Sequence, residues 1–295
     1  MRVTFPSGPD WKRDFMASQT PGLGRSLPAR ITSDLVGRGR TGLETAGAMM
    51  VLGVEAITIA IRDILTRRFS WSEFLLQAWF MSRVSVLPTI LVAIPFGIIV
   101  SIQIGGVAGQ IGAESFSGAV NGIGVLRQRA PLVTSIMIAG AVGAAITSDL
   151  GARTIREEVD ALQVMGINPV QRLVAPRVAA ALVVAFFLNI VVAATSIITG
   201  YTLNVGGGAV SSGTYIAAFV SFAQPTDLFL ASFKALIFGF IATIVACHKG
   251  LNASGGPKGV ADAVNEAVVI SVIALAMVNV ALTQAYVMLA PSRIA

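Results

Sequence analysis

The feature that most constrains this chain is the length of its uncharged apolar runs. Residues 84–113 and 178–226 contain no Asp, Glu, Lys or Arg. Crossing a ~30 Å hydrocarbon core takes ~20 helical residues, so apolar runs beyond about 18 read as membrane spans. Composition agrees: 55% of the 295 residues are apolar and only 12% charged, where a soluble domain carries roughly a quarter. A soluble enzyme is excluded. So is an outer-membrane barrel, whose strands alternate apolar and polar side chains. An all-α integral membrane protein remains.

Five transmembrane helices are expected, over about 84–103, 119–148, 178–203, 228–247 and 267–290, within a membrane domain 83–290. Pro88 and Pro95 fall in the first, where neighbouring helices can re-satisfy the freed carbonyls and a kink is expected. Residues 1–42, polar and basic with no apolar signal-peptide core, are expected to form a flexible cytosolic arm. Residues 43–82 read as an interfacial region. Its 43–61 segment is apolar but keeps Glu44 and Glu55, so an amphipathic helix in the interface, Glu55 toward water, is preferred to a sixth span. The stretch FSWSEFLLQAWFM (69–81) sets Trp71 and Trp79 beside charges, as in an aromatic belt.

The basic residues orient the chain. Eleven precede Val84, Arg153, Arg156, Arg172 and Arg177 separate spans two and three, and Lys249 and Lys258 separate spans four and five. The connections after spans one and three have none. The positive-inside rule then places the N-terminus in the cytosol and the C-terminus outside, in a plasma membrane. The same asymmetry explains the net charge of +6 through anionic lipid, without nucleic acid. Small residues four apart (Gly105 and Gly109, Gly118 and Gly122, Ala139 and Gly143, Ser196 and Gly200) allow close helix approach, inside one bundle in preference to a dimer seam.

Candidates for chemistry are few. One cysteine, Cys247, and one histidine, His248, exclude a disulfide framework and a metal cluster. A P-loop needs Gly-Lys, and that dipeptide does not occur, so the chain is not itself a Walker-type ATPase and no cofactor is expected in it. With the boundaries above, the spans hold no acid, which argues against a proton relay. Arg127, Arg129 and Lys234 are the ionisable groups within them. They either snorkel to the outer interface or attract an anionic head group. The dense cytosolic feature is TIREEVDALQVMG (154–166): Thr154 and Glu157 form a capping box, Arg156 and Asp160 an i,i+4 pair, and Gly166 with Pro169 a stop. Ile155, Val159 and Leu162 share a face of this short amphipathic helix, which is either a plain loop helix or a docking helix for a protein partner.

The stretch GAAITSDLGARTIREEVDALQVMGINPVQRLVAPRVAA (143–180) resembles the signature of the MlaE/YrbE family, permease subunits of ABC transporters that work with MCE proteins to move lipids. LPTILVAIPFGIIVSIQ (87–103) and CHKGLNASGGPKGVADAVNEAVVIS (247–271) fit the same pattern, and the set looks most like the A-type YrbE proteins of actinobacterial MCE loci. The resemblance implies an N-terminal interfacial helix plus five spans, a permease domain over 83–290, and a permease dimer, heterodimeric in preference to homodimeric. It also implies a cytosolic ABC ATPase dimer that binds ATP and Mg, MCE proteins outside, and a lipid substrate. Carried over by position, Arg156, Glu157, Glu158, Asp160, Ala161, Leu162, Met165 and Gly166 belong to the ATPase-coupling helix. Leu87, Leu91, Ile94, Phe96 and Ile98 would line an apolar substrate cavity. Departures stand at Ala141, at Ser148-Asp149 and at Asn279, where many relatives have Arg, Ala-Glu and a nearby Asp. Import of fatty or mycolic acids, sterols or phospholipids would suit such a cavity. A secondary transporter or a membrane enzyme acting on lipid are the alternatives, and dependence on ATP or on partners separates them.

Overall fold

A computed structural model describes residues 27–67, 69–208 and 210–289. The chain divides into two compact units, Met1–Met50 and Val51–Ala295. Among the described residues there are helices and no strands. Five helical segments are long and apolar enough to cross a membrane: Trp71–Gln110, Glu114–Ile155, Val170–Gly206, Thr226–Leu251 and Gly256–Tyr286. The all-α architecture with five spans agrees with the sequence reading.

Helix α1 (Leu27–Leu65) is not among the five. It begins upstream of the expected start at Leu43, and arm residues 1–26 lie outside the described residues. In the second unit it shows three faces. Gly53, Ala56 and Asp63 are buried, a Cβ on Gly53 would stand 3.1 Å from the Phe240 ring, and Gln171 donates to Asp63 Oδ2 at 2.7 Å. Val54, Ile57, Ile61 and Ile64 form an exposed apolar stripe, and Glu55, Thr58 and Arg62 a polar one. An N-terminal helix with that division suits a membrane interface.

Helix α2 (Trp71–Gln110) absorbs the aromatic stretch as its first turns and runs unbroken through Pro88 and Pro95. Its buried side recurs every fourth residue, at Gln77, Met81, Ser85, Thr89, Ala93, Gly97 and Ser101, and packs along α7 (Ala175–Gly206). Small residues there let the two backbones come close: a Cβ on Gly97 would meet Thr199 at 3.2 Å.

The second span is a composite. A short 3₁₀ turn leads into α3 (Ser117–Gly124), then a π-turn (Val125–Arg129), α4 (Ala130–Met137), a second π-turn (Ile138–Val142) and α5 (Gly143–Ile155). Pro131 has no N–H for the carbonyl of Arg127, four residues back, and the first π-turn falls at this place. Helix α8 (Ser212–Phe222) lies over α3, and α9 (Pro225–Leu251) packs on α5, α7 and α10 (Gly256–Leu289). The turn between α9 and α10 needs its glycines: Gly255 and Gly256 have φ of +85° and +74°, and a Cβ on Gly259 would strike Ser254 O.

Candidate functional site

At one end of the bundle, α5 ends at Ile155 and a separate helix α6 covers Glu158–Val164. The expected capping box is not formed. Thr154 still belongs to α5, and its hydroxyl bonds back to Leu150 O (3.0 Å) and across to Gly250 O (3.2 Å). Glu157 sits at the break with φ +59°, a left-handed conformation that costs a non-glycine residue of order 1 kcal/mol. Arg156 pairs with Glu158 (2.9 Å), not with Asp160. The stop is as expected, with Met165 as C-cap and Gly166 at φ +74°.

Only Val159 of α6 is buried. Glu157, Glu158, Asp160 and Ala161 are exposed and Leu162 half-buried. Beyond them Val164 is 89% and Met165 64% exposed, with Ile167 also open. A cleft of about 360 Å³ runs between this helix and the bundle, lined by Glu73, Arg153, Glu158, Ala161, Leu162, Met165, Arg172 and Leu173.

The base of this segment is clamped. Asp149, in α5, accepts from Arg153 Nε (3.3 Å to Oδ2) and from Nη2 of Arg177 in the first turns of α7, whose Nη1 donates to Leu173 O at 2.8 Å. Thr147 bonds Ala246 O of α9 at 3.2 Å, and a Cβ on Gly250 would meet Leu150 Cβ at 2.7 Å. These contacts tie α5 to α7 and α9 at the base of α6.

The three cations expected within spans all have partners inside the chain. Lys234 is fully buried, donating to Thr283 Oγ1 (2.7 Å) and to the carbonyl of Arg127 (3.5 Å) that Pro131 leaves free. Arg127 pairs with Asp227 (2.8 Å) and lies over the Tyr286 ring, and Tyr286 donates to the same carboxylate oxygen at 3.3 Å. Arg129 is buried with Asn121.

The span helices run past the expected limits, so Asp149 and Asp227, like Glu73, Glu114, Asp262 and Glu266, lie on them at or beyond the ends of the expected acid-free runs. A polar residue just beyond a run's edge, with an arginine at the end of another span, was the available signal for the ion pairs of Asp149 and Asp227.

Leu87, Leu91, Ile94 and Phe96 are exposed on α2 away from α7, with Ile98 half-buried. They lie outside the clefts at α6, between α7 and α8, and at the end of α2. Gly118, Gly122 and Gly200 make close contacts inside the chain.

These features define a multi-pass membrane protein of five spans with a short, acid-bearing helix presented at one end. The family model described as Permease MlaE matches residues 74–285, and the chain belongs to that family. It is 29% identical over 244 residues to a probable ABC transporter permease protein of Rickettsia bellii, covering 82% of this chain and 92% of that one. Over 193 residues it is 34% identical to a probable ABC transporter permease protein of Synechocystis, 62% and 70% of the two chains. Over 166 residues it is 28% identical to the chloroplastic protein TRIGALACTOSYLDIACYLGLYCEROL 1 of Arabidopsis thaliana, 56% and 47%.

Proposed function

We propose that this permease is the membrane subunit of an ATP-driven lipid transporter that works with MCE proteins. It pairs with a second YrbE-type permease and takes its energy from a cytosolic ABC ATPase dimer docked on α6. The observation that carries this reading is the make-up of α6: acids and large apolar side chains exposed together on a seven-residue helix. Acids gain nothing from anionic lipid, and exposed Val164 and Met165 ask for a protein surface. The clustering of basic residues at the α6 end supports a cytosolic placement of that end, with the C-terminus outside.

ATP-driven movement of the ATPases displaces α6, and the clamp at Asp149 passes the motion into three helices. The apolar face with Leu87, Leu91, Ile94, Phe96 and Ile98 supplies one wall of the lipid cavity, and the second permease supplies the other. The Arabidopsis relative carries a galactolipid in its name, which supports lipid as the cargo class. Fatty or mycolic acids, sterols and phospholipids suit such walls, with import as the direction. Arg127, Arg129 and Lys234 add positive charge that favours an anionic head. The test is the double substitution Glu158→Lys with Asp160→Lys. The variant inserts normally but no longer co-purifies with the ATPase; undiminished ATPase recovery would overturn the assignment of α6.

A further inference from the structure

Among the described residues neither Lys234 nor Arg129 has a carboxylate partner, but Lys234 donates to Thr283 Oγ1 and the Arg127 carbonyl whereas Arg129 leaves two nitrogens unbonded. The Arg129 side chain is 8% exposed, and among the described residues no carboxylate forms an ion pair with it. Nη2 donates to the Asn121 carbonyl (3.1 Å) and to Asn121 Oδ1, while Nε and Nη1, both buried, have no partner. An arginine does not shed its proton in a protein, so it cannot escape this cost by becoming neutral. A buried guanidinium with two idle nitrogens is a place where an anion would be stabilised.

We propose that Arg129 is the anion-recognising group of a binding site for an amphiphile with a carboxylate or phosphate head, occluded beneath α8 in this conformation. Two further orphaned groups lie near its partner Asn121. Ser117 is one turn before Asn121, and Ser101 on α2 lies against the same Gly200 position that Asn121 fills; both hydroxyls are buried and unpartnered. The π-turn that bears Arg129 interrupts regular helix bonding at this point, a distortion common at functional sites.

Ser117 also lines an apolar groove of about 350 Å³, with Val107, Ile111, Phe116 and Val120. That groove suits a hydrocarbon tail, so the polar cluster and the apolar groove meet at one residue. Helix α8 is the cover. It rests on Gly118 and Gly122, where a Cβ would meet Tyr215 O at 2.3 Å and Phe219 Cδ2 at 2.7 Å. Its one side-chain bond to the cluster is Asn121 Nδ2 to the Tyr215 hydroxyl, 2.7 Å. Lifting α8 would uncover Arg129 and free Asn121 together.

This inference rests on the lipid-permease reading, but its test uses neither ATP nor the ATPase, so loss of ATPase docking would leave the assay unchanged. The full-length permease, purified in mild detergent, is equilibrated with radiolabelled oleate. Dioleoylphosphatidylglycerol, uncharged methyl oleate and inorganic phosphate serve as competitors. Retained oleate that methyl oleate displaces at least ten-fold less well than unlabelled oleate supports the site. Competition by phosphatidylglycerol assigns a phosphate head, and its failure beside competing oleate assigns a carboxylate. Arg129→Gln abolishes the preference for acid over ester, Arg129→Lys keeps part of it, and Tyr215→Phe speeds exchange. Equal displacement by acid and ester, no retained oleate, displacement by inorganic phosphate alone, or an undiminished preference in Arg129→Gln would overturn the proposal. The comparison of acid with ester in the unaltered protein needs no variant to fold.

Discussion

Two ion pairs join neighbouring spans, and their burial is inverted. In Asp149–Arg177 the arginine is 1% exposed and the acid 32%. In Arg127–Asp227 the acid is sealed at 0% while the arginine is 38% open. The sealed member of each pair is the one that depends on its partner, since the open one can turn to water. The two sealed groups differ in their escape routes: a lone carboxylate can take up a proton, whereas a lone guanidinium keeps its charge. The clamp below α6 is therefore the less forgiving of the two, and it is the one through which the coupling motion is proposed to pass.

Asp149→Asn tests this at its strongest point. It removes the counter-charge of Arg177 inside the bundle, leaving the Leu173 carbonyl and the new amide oxygen as neutral acceptors. Removing one member of a buried pair costs roughly 3–5 kcal/mol, and the lower part of that range is expected here. Thermal unfolding in detergent, followed by loss of the folded species on size exclusion, reads the effect. A variant that melts with the unaltered protein would show that Arg177 does not need Asp149, and the contrast between the two pairs would be lost.

Arg127→Gln is expected to cost less, about 2 kcal/mol, because the stranded Asp227 keeps the Tyr286 hydroxyl and has the proton route open. A larger loss than for Asp149→Asn in the same assay would reverse the ranking and make the opposite end of the bundle the critical one.

The sequence made the fold class legible through run length alone, because lipid punishes any unpaired backbone and leaves the helix as the solution for such runs. It also located α6, since Gly166 and the exposed acids survive into the structure. The start of α6 was misread. Thr154 and Glu157 have the spacing of a capping box, yet Thr154 is drawn across to the Gly250 carbonyl and the helix restarts beyond a left-handed Glu157. Local spacing cannot see a tertiary acceptor. For the same reason the ion pairs were missed: Asp149 and Arg177 are 28 residues apart, and Arg127 and Asp227 100 apart. Each acid stands just outside the hydrophobic run that hydropathy reports.

The smallest effect concerns the open side of the clamp. Arg153 reaches Asp149 over one helical turn at 3.3 Å, with both side chains about a third exposed. Such i,i+4 pairs contribute only about 0.3–0.5 kcal/mol, because water and side-chain entropy offset most of the Coulomb gain. Arg153→Ala should therefore leave the melting curve almost in place, although it removes a direct partner of the same carboxylate whose loss is expected to be severe. A cost above roughly 2 kcal/mol for Arg153→Ala would mean that the exposed pair, not the sealed one, holds α5 at the base of α6. The asymmetry of burial would then be a poor guide to which contact matters.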